Sequence, residues 1–423
     1  MKIRFTSQIQ IYILCSLLLI STGITLLDVK QGIVYDEKTT LAASTGNLVS
    51  DNYDSIRDSF QIPNFVPPSS RAFNCGVFLN RDNYQNIAAA SISDIDWGKG
   101  LPYAFFLNLW IRLFGLDDVT IRLSAIFFSL LITFVIFRIA LFFSEGNIWM
   151  ALFATFLGAI HPIFWRFNIE IRPYALATLL SLLSTWIFYL IFFEKQKGLI
   201  YFLAYSASIL LSFLAHYHTL YVILPQFIFF FLFTKDRSDL LKFIASIAFA
   251  SFVILLWMFA GGGKGLQMME YCNRDILNSV KKITDVSDYT HDALPVSIRN
   301  LLVYSLYDFS ELLNTDALLK LSKLKYFFPV FLYSGWLFYK KYSVSGQPAR
   351  IKVFFLLLLC SSPFLLNIIL ALISGHTTSL KIRFFAFSAP YFVILLALSS
   401  GKIFLSSKDR MRLPQTDQLF CKI

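Results

Sequence analysis

Apolar runs of about 20 residues recur along the chain, and a short polar break ends each of them. An α-helix rises about 1.5 Å per residue, so such runs are long enough to cross the roughly 30 Å hydrocarbon layer of a bilayer. The pattern predicts an all-α polytopic membrane protein with about ten transmembrane helices. The predicted spans are residues 9–27, 120–143, 148–165, 173–193, 199–215, 218–234, 240–260, 325–340, 352–373 and 384–401.

Two long connections interrupt this series, and they divide the chain into six segments. The segments are the amino-terminal tail with the first helix (1–27), a first loop (28–119), helices two to seven (120–260), a second loop (261–324), helices eight to ten (325–401) and a carboxyl-terminal tail (402–423). The first loop ends in "LPYAFFLNLWIRLFGL", whose polar flanks favour an amphipathic helix lying in the membrane interface over a further span. We expect this loop to form a cap that contains interfacial helices.

Composition supports a membrane protein and argues against nucleic-acid binding. The chain is 57% hydrophobic and has a mean hydropathy of +0.63, which is too apolar for a soluble globular protein. Its net charge of +11 could indicate a nucleic-acid partner. However, the basic residues lie in short connections between apolar runs rather than in one patch, which is the pattern that orients membrane proteins. We therefore expect no nucleic-acid partner.

The distribution of charge also predicts the orientation. Most Lys and Arg residues fall on one side of the predicted spans, and the short loops on the other side hold only four, Arg166, Arg172, Lys381 and Arg383. By the positive-inside rule both termini are cytoplasmic and both long loops are extracytoplasmic. The first apolar run has no small-residue cleavage site, so we interpret it as an uncleaved helix rather than a signal peptide. The compact size and the lack of organelle signals favour a bacterial inner membrane.

The five cysteines do not form a disulfide framework. Cys75 and Cys272 fall in the two long loops, on the same predicted side of the membrane. A bridge between them and two unpaired thiols both fit the sequence, and we favour the unpaired thiols.

The most informative polar motif is the acidic pair Asp36 and Glu37, which follows the first predicted helix. Such a pair is either a solvated anchor that keeps a helix end in water or a reactive group. In the predicted topology, three hairpins and the end of the first loop bring polar residues to the same membrane face. These stretches are residues 94–103, 166–174, 215–218 and 379–385.

The residues at this face have side chains that could act on a hydroxyl group and bind a phosphate group. A carboxylate can take a proton from an attacking hydroxyl group, and guanidinium groups bind phosphate through paired donors. Structural roles compete with these functions. Arg172 could cap the loop before Pro173, Glu170 could pair with Arg172, and Lys99 could be an ordinary loop lysine between two glycines.

The histidines at this face also have simpler explanations. His161 precedes a proline and is expected to form an internal hydrogen bond. His216 and His218 are two positions apart, so on a helix they would face different sides. The sequence offers no further ligands for a metal ion beside them, and a divalent cation is left open as a cofactor.

Several segments together resemble a known family. They are "YDE" after the first span, "LNLWIRLFGLDDVTIRLSAIFF", "RPYALATLL" and, more weakly, "KIRFFAFSAPYFVILLAL" near the carboxyl end. The chain is similar over roughly residues 9–234 to the GT-C membrane glycosyltransferases of the protein O-mannosyltransferase and aminoarabinose-transferase-like superfamily (glycosyltransferase family 39). The resemblance implies an inverting enzyme that passes a sugar from a polyprenyl monophosphate to a hydroxyl acceptor outside the membrane. The acceptor would be an envelope glycan, a lipid or a protein.

The resemblance also implies roles for particular residues. Asp36 would be the general base, and Glu37 would orient the acceptor or support Asp36. Arg172 and Arg383 would bind the carrier phosphate. Expected substrate contacts are Tyr103, Glu170, Tyr174 and His216.

One motif departs from the family pattern. Relatives commonly have a His-Pro-Pro-Leu-like motif before the interfacial helix, whereas this chain has "GKGLPY" and keeps only Pro102 and Tyr103. We expect Lys99 to supply a positive charge to the donor phosphate there. The missing His weakens the case for a metal at that place.

Two other functions compete with this interpretation. An O-antigen polymerase or ligase would use diphosphate-linked glycans, but such proteins depend on large late outer loops. A polyprenyl-lipid flippase or transporter would keep polar or Gly/Pro-broken residues in mid-membrane, whereas the ionisable residues here cluster at the ends of the spans.

Overall fold

The computed structural model describes residues 7–27, 37, 40–41, 44, 100–115, 118–161, 163–164, 170–259, 273–281, 293–312, 347–380 and 384–404. These residues form α-helices and short 3₁₀ turns, and the described ranges contain no strand beyond an isolated bridge between Pro295 and His376. The predicted fold class, an all-α polytopic membrane protein, is confirmed.

Eleven α-helices of the described ranges carry labels below. They are α1 (Ser7–Leu27), α2 (Leu101–Phe114), α3 (Asp118–Phe143), α4 (Ile148–Ile160), α5 (Tyr174–Phe192), α6 (Leu199–Ala215), α7 (Leu220–Phe233), α8 (Arg237–Trp257), α9 (Ile298–Leu312), α10 (Gln347–Ser374) and α11 (Ala389–Phe404). A 3₁₀ turn, Tyr217–Thr219, precedes α7, and a second, Thr377–Leu380, follows α10. A short helical segment at 273–280 is not labelled.

Most predicted spans coincide with a helix, except that the span at 325–340 lies outside the described residues. Four helical stretches are long and apolar enough to cross a membrane: Val119–Phe143, Tyr174–Phe192, Arg237–Trp257 and Ile351–Ser374. Further apolar helical stretches of the described ranges, among them Ile11–Gly23 within α1, are 10–17 residues long. The number of spans and their orientation therefore stay predictions, as do the segment boundaries.

Local sequence explains where several helices begin. Asn147 caps α4, because its side chain accepts a hydrogen bond from the Met150 amide, and Asp236 caps α8 in the same way through the Ser238 amide. Gly100 precedes α2 with φ of 86°, a left-handed conformation that favours glycine. Its amide donates to the carbonyls of Leu214 and Ala215, at the end of α6, and so attaches the start of α2 to that helix.

The centre of the bundle is α5, which packs against α3, α6 and α7. Its buried face includes Ser184 and Thr185, and both hydroxyls accept hydrogen bonds from the Gln226 amide of α7, at 3.1 and 2.9 Å. The Gln226 side-chain oxygen accepts a bond from the Tyr205 hydroxyl of α6, and Thr185 bonds the Tyr391 hydroxyl of α11 at 2.6 Å. This buried network joins four helices that apolar packing alone would leave free to rotate.

Basic side chains stack on aromatic rings at one end of the bundle. Arg138 lies 5.2 Å from the centre of the Trp186 ring, and Lys352 lies 4.4 Å from that of Phe142. This end holds the carboxyl ends of α3 and α5. Glu37 and Arg122, which lies near the amino-terminal end of α3, are at the opposite end, called here the Glu37 end.

Candidate active site

Four described residues of the first loop are helical and pack onto the Glu37 end. Glu37, Thr40, Leu41 and Ser44 are helical and at most 2% exposed. Their spacing of i, i+3, i+4 and i+7 places all four on one helical face, which is therefore the face that packs inward. Ser44 accepts a hydrogen bond through its carbonyl from the Asn108 side chain of α2, at 2.9 Å.

Glu37 is held by three hydrogen bonds from distant parts of the chain. Arg122 of α3 donates from Nη1 to Oε1 and from Nη2 to Oε2, each at 3.0 Å. The Ile171 amide also donates to Oε1 at 3.0 Å. Both side chains of the ion pair are 2% exposed, so the pair is desolvated. Glu37 thus joins the first loop, the start of α3 and the loop before α5.

Tyr103 of α2 is completely buried beside this ion pair. Burial is the main reason that the pKa of Tyr103 is raised above its ordinary value of 10.0. The neighbouring Ser124 hydroxyl lowers that pKa, as do the charges of Arg122 and Arg172, and the Glu37 charge raises it. At neutral pH Tyr103 is consequently a neutral phenol in the combined field of three charged groups.

Arg172 follows the residue that bonds Glu37, and it is itself only 8% exposed. Its amide donates to the Glu170 carbonyl at 2.7 Å, and its guanidinium lies 5.8 Å from the centre of the Tyr174 ring. The Tyr174 ring is 5.1 Å from that of His216. The structure therefore brings together five of the predicted site residues, which are Glu37, Tyr103, Arg172, Tyr174 and His216, and places the backbone of Glu170 next to Arg172.

The predicted arrangement of His216 and His218 is wrong. We expected the two side chains to face different sides of a helix, but their ring centres are only 5.0 Å apart. The reason is that the chain leaves α6 at Ala215 and passes through an extended His216 into the 3₁₀ turn. The internal hydrogen bond predicted for His161 is confirmed, since its Nδ1 accepts from the Ile163 amide.

Several predicted residues lie outside the described residues: Asp36, Lys99, Arg166, Lys381, Arg383, Cys75 and Cys272. Asp36 directly precedes Glu37, Lys99 directly precedes Gly100, and Arg383 directly precedes Phe384. The expected interfacial segment 101–116 contains α2, whose buried Tyr103, Leu107 and Ile111 face α3 and α6.

Arg122 is absent from the site residues predicted from sequence, because it lies within the predicted second span, 120–143, and reads as part of that apolar run. The signal was nevertheless present. An arginine inside a membrane-length segment is costly unless it is paired, so it indicates a buried partner or a functional site.

The described residues of this site offer carboxylate, guanidinium, phenol and imidazole groups. Among the residues that the structure describes, no group of three or more His, Cys, Asp and Glu side chains is arranged to hold a metal ion.

A family model matches part of the chain. Residues 99–260 match the model of the dolichyl-phosphate-mannose-protein mannosyltransferase family. Over these residues the chain is similar to that family, which supports a membrane glycosyltransferase of the GT-C type. This finding confirms the superfamily predicted from the sequence.

The match places several site residues within the GT-C region. It includes α2 to α8 and therefore Tyr103, Arg122, Arg172, Tyr174 and His216, and it covers less than half of the chain. Searches of curated proteins and of solved structures found no match.

Proposed function

We propose that this glycosyltransferase transfers a sugar from a polyprenyl-phosphate carrier to a hydroxyl acceptor on the extracytoplasmic side of the membrane, a bacterial inner membrane. The acceptor is a glycan, lipid or protein of the cell envelope. The observation that carries the proposal is the attachment of Glu37 to both Arg122 and the Ile171 amide. Through these bonds the acidic motif of the first loop and the arginine next to Ile171 belong to one assembly.

In the proposed reaction the acceptor oxygen attacks the anomeric carbon of the donor sugar, and the bond from that carbon to the phosphate oxygen breaks. Asp36 receives the acceptor proton as general base. The leaving polyprenyl phosphate gains negative charge, which Arg172, Arg383 and Lys99 stabilise. A single displacement inverts the configuration of the anomeric carbon.

Glu37 acts in this proposal as a positioning residue. Both of its oxygens accept hydrogen bonds from Arg122, and its burial keeps it from bulk solvent. A carboxylate fixed in this way is poorly suited to take a proton from an acceptor, but well suited to hold the helix that follows Asp36. Tyr103 and Tyr174 contribute a phenol and a ring face beside Arg172, and Glu170 and His216 complete the expected substrate contacts.

The donor class can be tested directly. Full-length protein in nanodiscs would be supplied with labelled sugars on polyprenyl monophosphate or on polyprenyl diphosphate, together with a membrane extract as acceptor. We expect labelled product from the monophosphate donor only. Use of the diphosphate donor alone would instead support a polymerase or ligase, and movement of the lipid across liposomes without a product would support a transporter.

A further inference from the structure

A second polar cluster lies at the Glu37 end, between the first turn of α7 and the 3₁₀ turn that follows α10. The Tyr221 hydroxyl donates to Asn367 Oδ1 at 2.6 Å, and the Ser379 hydroxyl donates to the Asn367 carbonyl at 2.9 Å. Asn367 is completely buried. The name Asn367 cluster is used below for Tyr221, Asn367, Thr378 and Ser379.

Two polar atoms of the Asn367 cluster have unused hydrogen-bonding capacity. Asn367 Nδ2 and Thr378 Oγ1 are buried and have no hydrogen-bond partner among the described residues. Buried polar groups are rarely left unpaired, because each forfeits its hydrogen bonds to water without replacing them. Asn367 lies on α10 and Thr378 on the 3₁₀ turn that follows it, and two unpaired groups on consecutive elements favour a ligand-binding function.

Aromatic rings connect the Asn367 cluster to Arg172. The His218 ring stacks on Phe384, with ring centres 4.2 Å apart and planes inclined by 8°, and it meets Tyr221 edge-on at 5.0 Å. The centre of the His218 ring is also 5.0 Å from that of the His216 ring. His216 in turn contacts Tyr174, over which the Arg172 guanidinium lies.

We propose that the Asn367 cluster binds the glycosyl group of the donor. An amide and a hydroxyl group can bond sugar hydroxyls, and the neighbouring rings offer an apolar face, a combination typical of small-molecule sites. The four side chains of the cluster carry no charge, so they suit an uncharged, hydroxyl-rich group better than a phosphate. This inference rests on the proposed function, in which Arg172 and Arg383 hold the phosphate to which that sugar is attached.

Thr378→Val is the most direct test, because valine keeps the shape of threonine and removes only the hydroxyl. No protein hydrogen bond from that hydroxyl is lost among the described residues, so we expect the melting temperature to stay constant or to rise. Thr234→Val is the matched control. Thr234 caps the opposite end of α7, is also partly buried, and has a hydroxyl without a described partner.

The kinetic constants distinguish a role of Thr378 in donor binding from a structural role. Thr378→Val should raise the KM for the polyprenyl-phosphate sugar by about tenfold, the effect of losing one substrate hydrogen bond, with a smaller change in kcat. Thr234→Val should leave both constants unchanged. If the KM of the Thr378→Val variant equals that of the wild type, or if both variants change it equally, the proposed subsite is wrong.

A binding measurement distinguishes this inference from the proposed function. The wild type is heated with bare polyprenyl phosphate and with polyprenyl phosphate that carries mannose, glucose or galactose. We expect at least one sugar to raise the melting temperature beyond the effect of the bare carrier, and Thr378→Val to abolish only that increment. Stabilisation by the carrier without any increment from the three sugars would overturn the glycosyl subsite. No stabilisation by any of these lipids, together with no transfer, would overturn the proposed function itself.

Discussion

Glu37 and Arg122 lie 85 positions apart in the chain and form two hydrogen bonds of 3.0 Å each. Both side chains are 2% exposed. A desolvated pair of this kind contributes little net stability, yet the loss of one partner leaves an uncompensated buried charge. The pair therefore fixes where the first loop attaches to the bundle.

Glu37→Gln should strongly destabilise the protein. The amide cannot neutralise the buried Arg122 charge, so we expect a loss of about 3–5 kcal/mol in the free energy of unfolding. Thermal unfolding in detergent measures this effect. Lys197→Gln is the control, because Lys197 pairs with Asp236 at 2.7 Å while its side chain is 48% exposed. Water screens an exposed pair, so its loss should cost far less, and similar losses for the two variants would contradict the role given to Glu37.

Gly100→Ala should weaken the attachment of α2 to α6. An L-residue at φ of 86° is strained by about 1–2 kcal/mol, and the strain falls on the residue whose amide bonds the Leu214 and Ala215 carbonyls. We expect a lower melting temperature and a reduced transfer rate. Gly198→Ala tests the specificity of this effect, since Gly198 also precedes a helix but has φ of −64°. Gly198→Ala should leave the melting temperature and the transfer rate nearly unchanged.

Arg172→Ala should impair use of the donor. The guanidinium supplies paired donors for a phosphate, so its loss should raise the KM for the polyprenyl-phosphate sugar at least about tenfold. Arg172→Lys keeps the charge but not the planar fork, and we expect an intermediate value. Initial rates measured across donor concentrations test this prediction. If the rate of Arg172→Ala depends on donor concentration as that of the wild type does, Arg172 has a structural role instead.

Gln226→Leu should destabilise the bundle without altering the site. It removes the groups that bond Tyr205, Ser184 and Thr185, and we expect a loss of about 1–2 kcal/mol. Thr185 lies about 16 Å along α5 from Tyr174 at 1.5 Å per residue, so KM should stay constant below the melting temperature. Ser208→Ala removes only a bond within α6 and should have little effect. A changed donor KM for Gln226→Leu would show that the network reaches the site.

The sequence predicted the helices far better than the contacts between them. Apolar run length gave the positions of α1, α3, α5 and α8, because hydrophobicity is a local property. The partners of Glu37 could not be found in this way. Arg122 and the Ile171 amide meet it only when α3 and the loop before α5 are packed together.

Short-range geometry also limited the prediction of the site. Whether His216 and His218 face the same way depends on a turn of three residues at the end of α6. Hydrophobic periodicity does not indicate such a turn. The resemblance to the family, in contrast, was correct because it depended on the order of motifs rather than on geometry.

The proposed chemistry depends on Asp36 as the base, and the transfer rate of Asp36→Asn measures this dependence. General-base catalysis contributes roughly 10²–10⁴-fold, so we expect the rate from a polyprenyl-phosphate sugar to fall by about that factor. The amount of Asp36→Asn protein in the membrane and its melting temperature should match those of the wild type. Asp51→Asn, in the same loop, is the control and should transfer sugar at the wild-type rate. A rate for Asp36→Asn within about threefold of the wild type would contradict the assignment of Asp36 as the base.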